Sequence, residues 1–382
     1  MKMKHTIVAA AAMTLLSTTA SAVDWGGYFR AGPGQKTTTA GDSSRCFGAN
    51  MEGGTYRLGN ECHTYGEFML SQGGQAGKVD YKAYLMTNIF QDGSDPDGAA
   101  IKLNQIYAEG KGFDIAPNQT FWIGRRFYGR ADVHMVDTFF VNMTGTGAGA
   151  DGFDLGFGSL NVAVFRNNDN TANPGTRLNL DLNGINTNPG GKLRVTSVFS
   201  DFSGTNGQSG FGLSLQHNQG GVFGGENTLW LQYAQGSAYL SMGTGGATDT
   251  SDQKRWRIVE SMQWTKGPLT GQALVLFGKQ GTSGNKESFN TIGGRAAYAF
   301  TTNFKLQGEL GISSHKPQGG QTDRLTKLTI APTLTVGPGY YDRPEFRFYA
   351  SRFSFNDAYR ATRPGLTKSN ANAVGFQVET WF

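Results

Sequence analysis

The chain has 382 residues and a formal net charge of +5 at neutral pH, with 16% charged and 12% aromatic residues; its 56 glycines are about twice the usual share. Its basic residues are scattered, the densest group being Lys254, Arg255 and Arg257, so nucleic acid is not an implied partner, and two cysteines without a second Cys/His pair exclude a zinc site. No apolar run beyond the N-terminal segment is long enough for a membrane helix, and a mean hydropathy of −0.39 is also what a transmembrane barrel gives, since lipid-facing and lumen-facing residues alternate and cancel.

At the N-terminus Lys2 and Lys4 precede an apolar run from Ile7 to Leu16, and Ala20-Ser21-Ala22 supplies a small-x-small cleavage site. This pattern predicts a signal peptide over residues 1–22 and one mature domain over 23–382. In the first alternating segment, Gly26–Ala31, Tyr28 shares a face with Arg30 while Phe29 points the other way. Cys46 and Cys62 flank a glycine-rich stretch, and in an exported chain such a pair predicts a disulfide worth roughly 3 kcal/mol on the chain-entropy account. Strands follow at Thr64–Gln72, where Tyr65 lies with Glu67, and at Val79–Phe90 and Ile101–Phe113. The acidic Asp92–Gly98 stretch lacks the closing glutamate of a calcium loop and reads as an extracellular turn.

From Phe121 to Tyr128 a period-two strand puts Trp122, Gly124, Arg126 and Tyr128 on one face. The period then breaks, and Arg130, Asp132, His134 and Asp137 follow within a few residues before Phe139, Phe140 and Val141 restart an apolar run. Opposed charges this dense suit neither lipid nor a dry core, so the segment reads as a loop carrying both signs into a confined space; its second half, Met135–Met143, also has the pattern of a strand. Gly145–Gly149 lacks the full nucleotide-binding fingerprint. Further strands are predicted at Phe153–Phe165, Arg177–Leu182, Leu193–Phe202, Phe211–His217, Leu229–Ala234, Arg255–Trp264, Gln272–Lys279, Ser288–Ala299, Phe304–Ile312, Leu325–Val336, Glu345–Phe355 and Ala373–Phe382. The total is about eighteen, and an even number of strands with no interleaved helices predicts an all-β, closed antiparallel transmembrane barrel.

Parity within these strands places rings on the polar side. Tyr341 shares its parity with Arg343, Glu345 and Arg347, and Trp381 with Glu379 and Gln377, so with Tyr28 and Tyr65 four rings accompany charges inside the barrel. A sugar ring has apolar C–H faces and a rim of hydroxyls, and a row of aromatic rings beside Arg, Glu and Asp side chains matches both; each ring burying about 40 Å² contributes on the order of 1 kcal/mol. The four histidines beyond the signal segment, His63, His134, His217 and His315, sit in scattered segments with no G-x-S-x-G nearby, which argues against hydrolysis.

The W-x-G-R-R-F-Y run at Trp122–Tyr128, the R-x-D-V-H-M-x-D core at Arg130–Asp137, the G-x-G-A-G at Gly145–Gly149 and the stretch YRLGNECHTY at Tyr56–Tyr65 resemble the maltoporin family of sugar-selective outer-membrane porins. The resemblance implies that the segment after Phe121 is the inward-folded third loop that makes the pore constriction. It also implies an aromatic slide at Tyr28, Tyr65, Tyr341 and Trp381, and a polar track and constriction at Arg30, Arg57, Glu67, Arg126, Arg130, Asp132, Asp137 and Phe139. Phe139 stands where the family has tyrosine, the Gln91–Ala100 loop has no tryptophan, and Glu226 replaces an aromatic for which Trp230, of the same parity, is the expected substitute. The implied protein is an outer-membrane homotrimer without cofactor or metal, in contact with outer-membrane lipid, that passes maltose- or maltodextrin-type oligosaccharides by facilitated diffusion. The alternatives are a general diffusion porin and a barrel for surface attachment or phage reception, which would call for longer outer loops.

Overall fold

A computed structural model of the chain describes residues 23–32, 36–37, 46–49, 51–92, 97–167, 172–363 and 365–382. The segment read as a signal peptide, and residues 93–96 of the acidic turn, lie outside the described residues. Eighteen antiparallel strands form one closed barrel. In chain order they are β1 (Asp24–Ala31), β2 (His63–Ala76), β3 (Val79–Asp92), β4 (Ala100–Phe113), β5 (Ala116–Arg126), β6 (Gly145–Asp154), β7 (Ser159–Asn167), β8 (Gly175–Asn186), β9 (Gly191–Phe202), β10 (Ser209–Val222), β11 (Gly225–Gly236), β12 (Lys254–Lys266), β13 (Leu269–Thr282), β14 (Asn285–Thr301), β15 (Phe304–Lys316), β16 (Asp323–Thr335), β17 (Glu345–Phe355) and β18 (Asn370–Trp381). The barrel closes on β1, in which Tyr28 lies opposite Glu67 of β2 on one side and opposite Trp381 of β18 on the other.

The predicted strand count is correct through two compensating errors. Phe153–Phe165 is not one strand, because a turn at 155–158 separates β6 from β7; Met135–Met143 is not a barrel strand at all. That segment belongs to the inward loop, where Ala131–Val133 and Thr138–Val141 pair only with each other around a 3₁₀ turn at His134–Val136. Its alternating apolar residues meet an apolar patch of the lumen wall, so the pattern of a half-buried strand arises without the strand.

The alternation along the wall is inside-out. In β16, Lys327, Thr329, Ala331 and Thr333 are buried toward the interior while Leu328, Ile330 and Leu334 are about half exposed on the outer surface; in β17, Glu345 and Arg347 are buried and Phe346 and Phe348 exposed. Such a wall has lipid as its outer solvent, and closure leaves no strand edge with unpaired backbone groups facing that solvent. Connections at one end are short, as at Gly267-Pro268, where Gly267 takes the left-handed φ of +57° that the tight turn needs. Longer loops lie at the other end, the outer side in barrels of this kind.

Ile330 lies near the middle of its strand, facing out at 52% exposure. Ile330→Arg is expected to destabilise the folded barrel by roughly 2–4 kcal/mol in a urea titration of folding into lipid vesicles. A cost near zero would mean that this face is not in contact with lipid.

Candidate functional site

Two segments from the outer side plunge into the lumen and build the site against the wall. The first is the loop of residues 46–62, closed at its base by the Cys46–Cys62 disulfide, with the two Cα atoms 5.7 Å apart. The predicted disulfide is thus present. Asn60 bridges the loop from inside, accepting from Phe47 N at 3.0 Å and donating to Phe47 O at 2.8 Å. At its tip the Tyr56 ring lies in a groove over Gly293 and Gly311; a Cβ on Gly311 would fall 2.0 Å from Tyr56 Cδ2, so the ring can seat only where these strands carry no side chain. The Tyr56 hydroxyl meets Thr291 Oγ1 at 2.9 Å, which fixes its neighbour Arg57 in the lumen.

The second segment is the charged loop between β5 and β6. Met135, Phe140, Val141 and Met143 are fully buried in a cluster with Trp230, Val259, Leu274 and Leu276 of the far wall. Polar groups from that wall hold the loop backbone: Gln272 Oε1 accepts from Met135 N at 2.9 Å, and Gln232 Nε2 and Arg257 Nη2 donate to Phe140 O at 2.7 and 3.1 Å. With one face anchored, the other presents Arg130, Asp132 and Asp137 across the lumen toward β1, β2 and β18. The loop of residues 237–253 folds inward as well, burying Ala238, Leu240 and Met242 in the same cluster.

Between these pieces and the wall lies a cavity of about 350 Å³. Its charged lining is Arg30, Arg57 and Arg130 against Glu67, Asp132 and Asp137; its aromatic lining is Tyr28, Tyr65, Phe139 and Trp381, with His134. Arg30 Nη1 donates to Asp137 at 2.9 Å and reaches Glu61 at 2.8 Å, and Arg57 holds Glu61 at 2.5 Å and Glu379 at 2.9 Å. Arg130 is stacked between rings, its guanidinium carbon 3.3 Å from the Phe127 centroid and 4.5 Å from that of Phe139. Burial, then repulsion from Asp137, pushes the Asp132 carboxyl upward in pKa. For Asp137 burial acts in the same direction but is outweighed by Arg57 and Arg30, which hold it below its ordinary range. Burial lowers the His134 imidazole to about 4, so it is neutral at pH 7 and the lining holds three basic and three acidic side chains.

The rings form a row. Tyr65 and Tyr28 have centroids 6.1 Å apart, Tyr28 faces Trp381 across the β1–β18 pair, and Trp381 and Tyr341 are 6.4 Å apart. Tyr65 lies near the outer end of β2, and Tyr341 in the connection between β16 and β17 on the short-turn side, so the row runs along the lumen rather than around it.

The family model for LamB porins matches residues 23–382. The chain belongs to the LamB porin family. Among solved structures, OccK3 (OpdO) of Pseudomonas aeruginosa is 10% identical with a TM-score of 0.51 over 94% of this chain and 95% of that one. OccD3 (OpdP) of the same organism is 9% identical with a TM-score of 0.50 over 96% and 92%. At such identities the likeness concerns the fold. As a LamB-family porin the protein is an outer-membrane channel, not an enzyme.

Within this LamB-family channel, two residues expected on the path stand elsewhere. Trp230 faces inward but is only 3% exposed, its ring 5.2 Å from Phe140; it supports the inward loop from beneath and does not replace the ring missing at Glu226. Arg126 is apart from the cavity, among the rings of Tyr107, Trp122 and Tyr128 and 3.1 Å from Asp151. Phe139 lines the cavity, and its ring supports Arg130. Sequence reasoning used Glu379 only as a parity marker and missed Glu61, though it stands inside the YRLGNECHTY stretch; both carboxylates hold the arginines of the site.

The double variant Asp132→Ala/Asp137→Ala leaves three arginines against Glu67 at the cavity. It is expected to raise single-channel conductance and shift reversal potentials in a salt gradient toward anions. An unmoved reversal potential would mean that the loop does not line the conducting path.

Proposed function

We propose that this porin is sugar-selective, carrying linear oligosaccharides of the maltodextrin type by facilitated diffusion along Tyr65, Tyr28, Trp381 and Tyr341, with Arg30, Arg57, Glu67, Arg130, Asp132 and Asp137 binding the hydroxyl rim. The observation that carries this reading is the continuity of the row: rings from β1, β2, β18 and the β16–β17 connection, remote in sequence, succeed one another at about one sugar's length, and the first three border a cavity lined by three basic and three acidic side chains. A pore for ions alone has no use for such a row, whereas glucose units can stack on it in turn. Each stop is weak, about 1 kcal/mol per ring, which permits both binding and release. Export by the N-terminal signal segment, a lipid-facing belt on the outer wall and assembly as a homotrimer, which the family resemblance implies, belong to the same reading.

Single-channel current block across a panel of sugars tests it. Trp381→Ala is expected to weaken block by maltodextrins by roughly 1 kcal/mol, about fivefold in apparent affinity, with ion conductance level or higher. A general diffusion porin would show no block in the wild type. A tryptophan that only packs would lose thermal stability and leave block unchanged.

A further inference from the structure

A second polar cavity, of about 270 Å³, lies at the outer rim and plays no part in the path just described. It is lined by Tyr239 and Gln253 of the loop of residues 237–253, by Arg255 and Gln280 at the outer ends of β12 and β13, and by Asn285 and Glu287 at the start of β14. The loop that brings Tyr239 here is held in place: Tyr239 N donates to Gly243 O at 3.1 Å, Gly245 N to Ser237 O at 2.7 Å, and the flanking Ala238 and Leu240 are buried.

The charged side chains of this cavity already have hydrogen-bond partners. Arg255 Nη1 donates to Gly236 O and Ala238 O at 3.0 and 3.1 Å, its Nη2 bonds the Asp249 carboxylate, and its guanidinium lies 5.3 Å from the Tyr239 ring centroid. Glu287 accepts from Gln280 Nε2 and lies 2.9 Å from His315 Nε2. Burial, then the Glu52 carboxylate, pushes the Tyr239 phenol up to about 12, so it remains a hydroxyl. A ligand would meet an aromatic ring, amides, hydroxyls and the Glu287 carboxylate, a set of donors and acceptors beside an apolar face that suits a polyhydroxylated ring. Glu52, whose carboxylate acts on the Tyr239 phenol, also borders a chamber of about 290 Å³ whose wall includes Arg30, Arg57 and Asp137.

We propose that the Tyr239 cavity is an outer docking site for a neutral sugar ring, capturing an oligosaccharide before it reaches the constriction. The inference rests on the sugar-pore reading above and adds a sidedness that reading does not require. Channels inserted in one orientation into a planar bilayer, with maltotriose added to one side at a time, test it. Tyr239→Ala should lower the on-rate of block from the outer side by about fivefold, the loss of one stacking ring, and leave the on-rate from the periplasmic side and the ion conductance unchanged. Tyr239→Phe should stay near wild type, and Gln280→Ala should show the same one-sided loss; should Tyr239→Ala not insert, Gln280→Ala is the deciding variant. An outer on-rate equal to wild type, or equal losses from both sides, overturns the docking site while leaving the sugar pore standing. A wild-type channel that maltotriose never blocks overturns both.

Discussion

The site depends on one buried carboxylate. Glu379, on the last strand and with no exposed side-chain surface, receives Arg57 and Arg343 at 2.9 Å, receives Arg347, and accepts the Tyr28 hydroxyl at 3.0 Å. These partners come from the loop of residues 46–62, from the β16–β17 connection, from β17 and from β1. A guanidinium out of bulk water is tolerable only beside an opposite charge, and removing the shared acceptor would leave Arg57 with Glu61 and crowd Arg343 and Arg347 onto Glu345, where breaking even one such buried pair costs on the order of 3–5 kcal/mol. The closing strand, the first plunging loop and the ring row therefore have a common anchor: Arg343 stacks over Trp381 at 4.5 Å, and His134, 3.6 Å from the same carboxylate, packs edge-on to Tyr341 and Trp381.

A barrel whose hydrophobic face is turned to lipid has no ordinary core, and this one makes its core from loops. Met135, Phe140, Val141 and Met143 from one loop and Ala238, Leu240 and Met242 from another fill the far half of the lumen against Trp230, Val259, Leu274 and Leu276. Arg257 ties the two kinds of packing together, since its guanidinium lies 4.7 Å from the Phe140 ring, bonds Phe140 O and pairs with Glu52. This dry half gives the charged half its shape. A loop held on one face by close-packed side chains can hold Asp132 and Asp137 out into water at fixed positions, which a loop tethered only by its ends could not do.

Much of the fold was legible because the strand period is two. Parity alone put Tyr28, Tyr65 and Trp381 on the inner face, and the cysteine pair stood out in an exported chain. What parity cannot see is what lies opposite an inward residue. Trp230 and Tyr28 have the same standing in sequence, yet one is covered by Phe140 and the other borders the cavity. The same blindness made Met135–Met143 look like a wall strand, since an apolar patch inside the lumen gives the same alternation as lipid outside. Glu61 and Glu379 were visible as polar residues, but their roles depend on arginines contributed from loops and strands far away in the chain, and no spacing rule connects them.

Part of the polar lining of the cavity is paired before any permeant arrives: Arg30 holds Asp137 and Tyr65 donates to Glu67 at 2.5 Å, while Arg130 rests between two rings with its Nε unbonded. A hydroxyl that enters must exchange with these bonds, so its net gain is a fraction of the bond it forms, of order 1 kcal/mol. A small ion gains little from the rings, and its attraction to one sign in the lining is opposed by the other within the same cavity. A sugar gains a little from each ring and a little from each exchange, and loses nothing to net charge. The same pairing that keeps the buried charges tolerable thus keeps binding shallow, and shallow binding repeated along a row favours passage over retention.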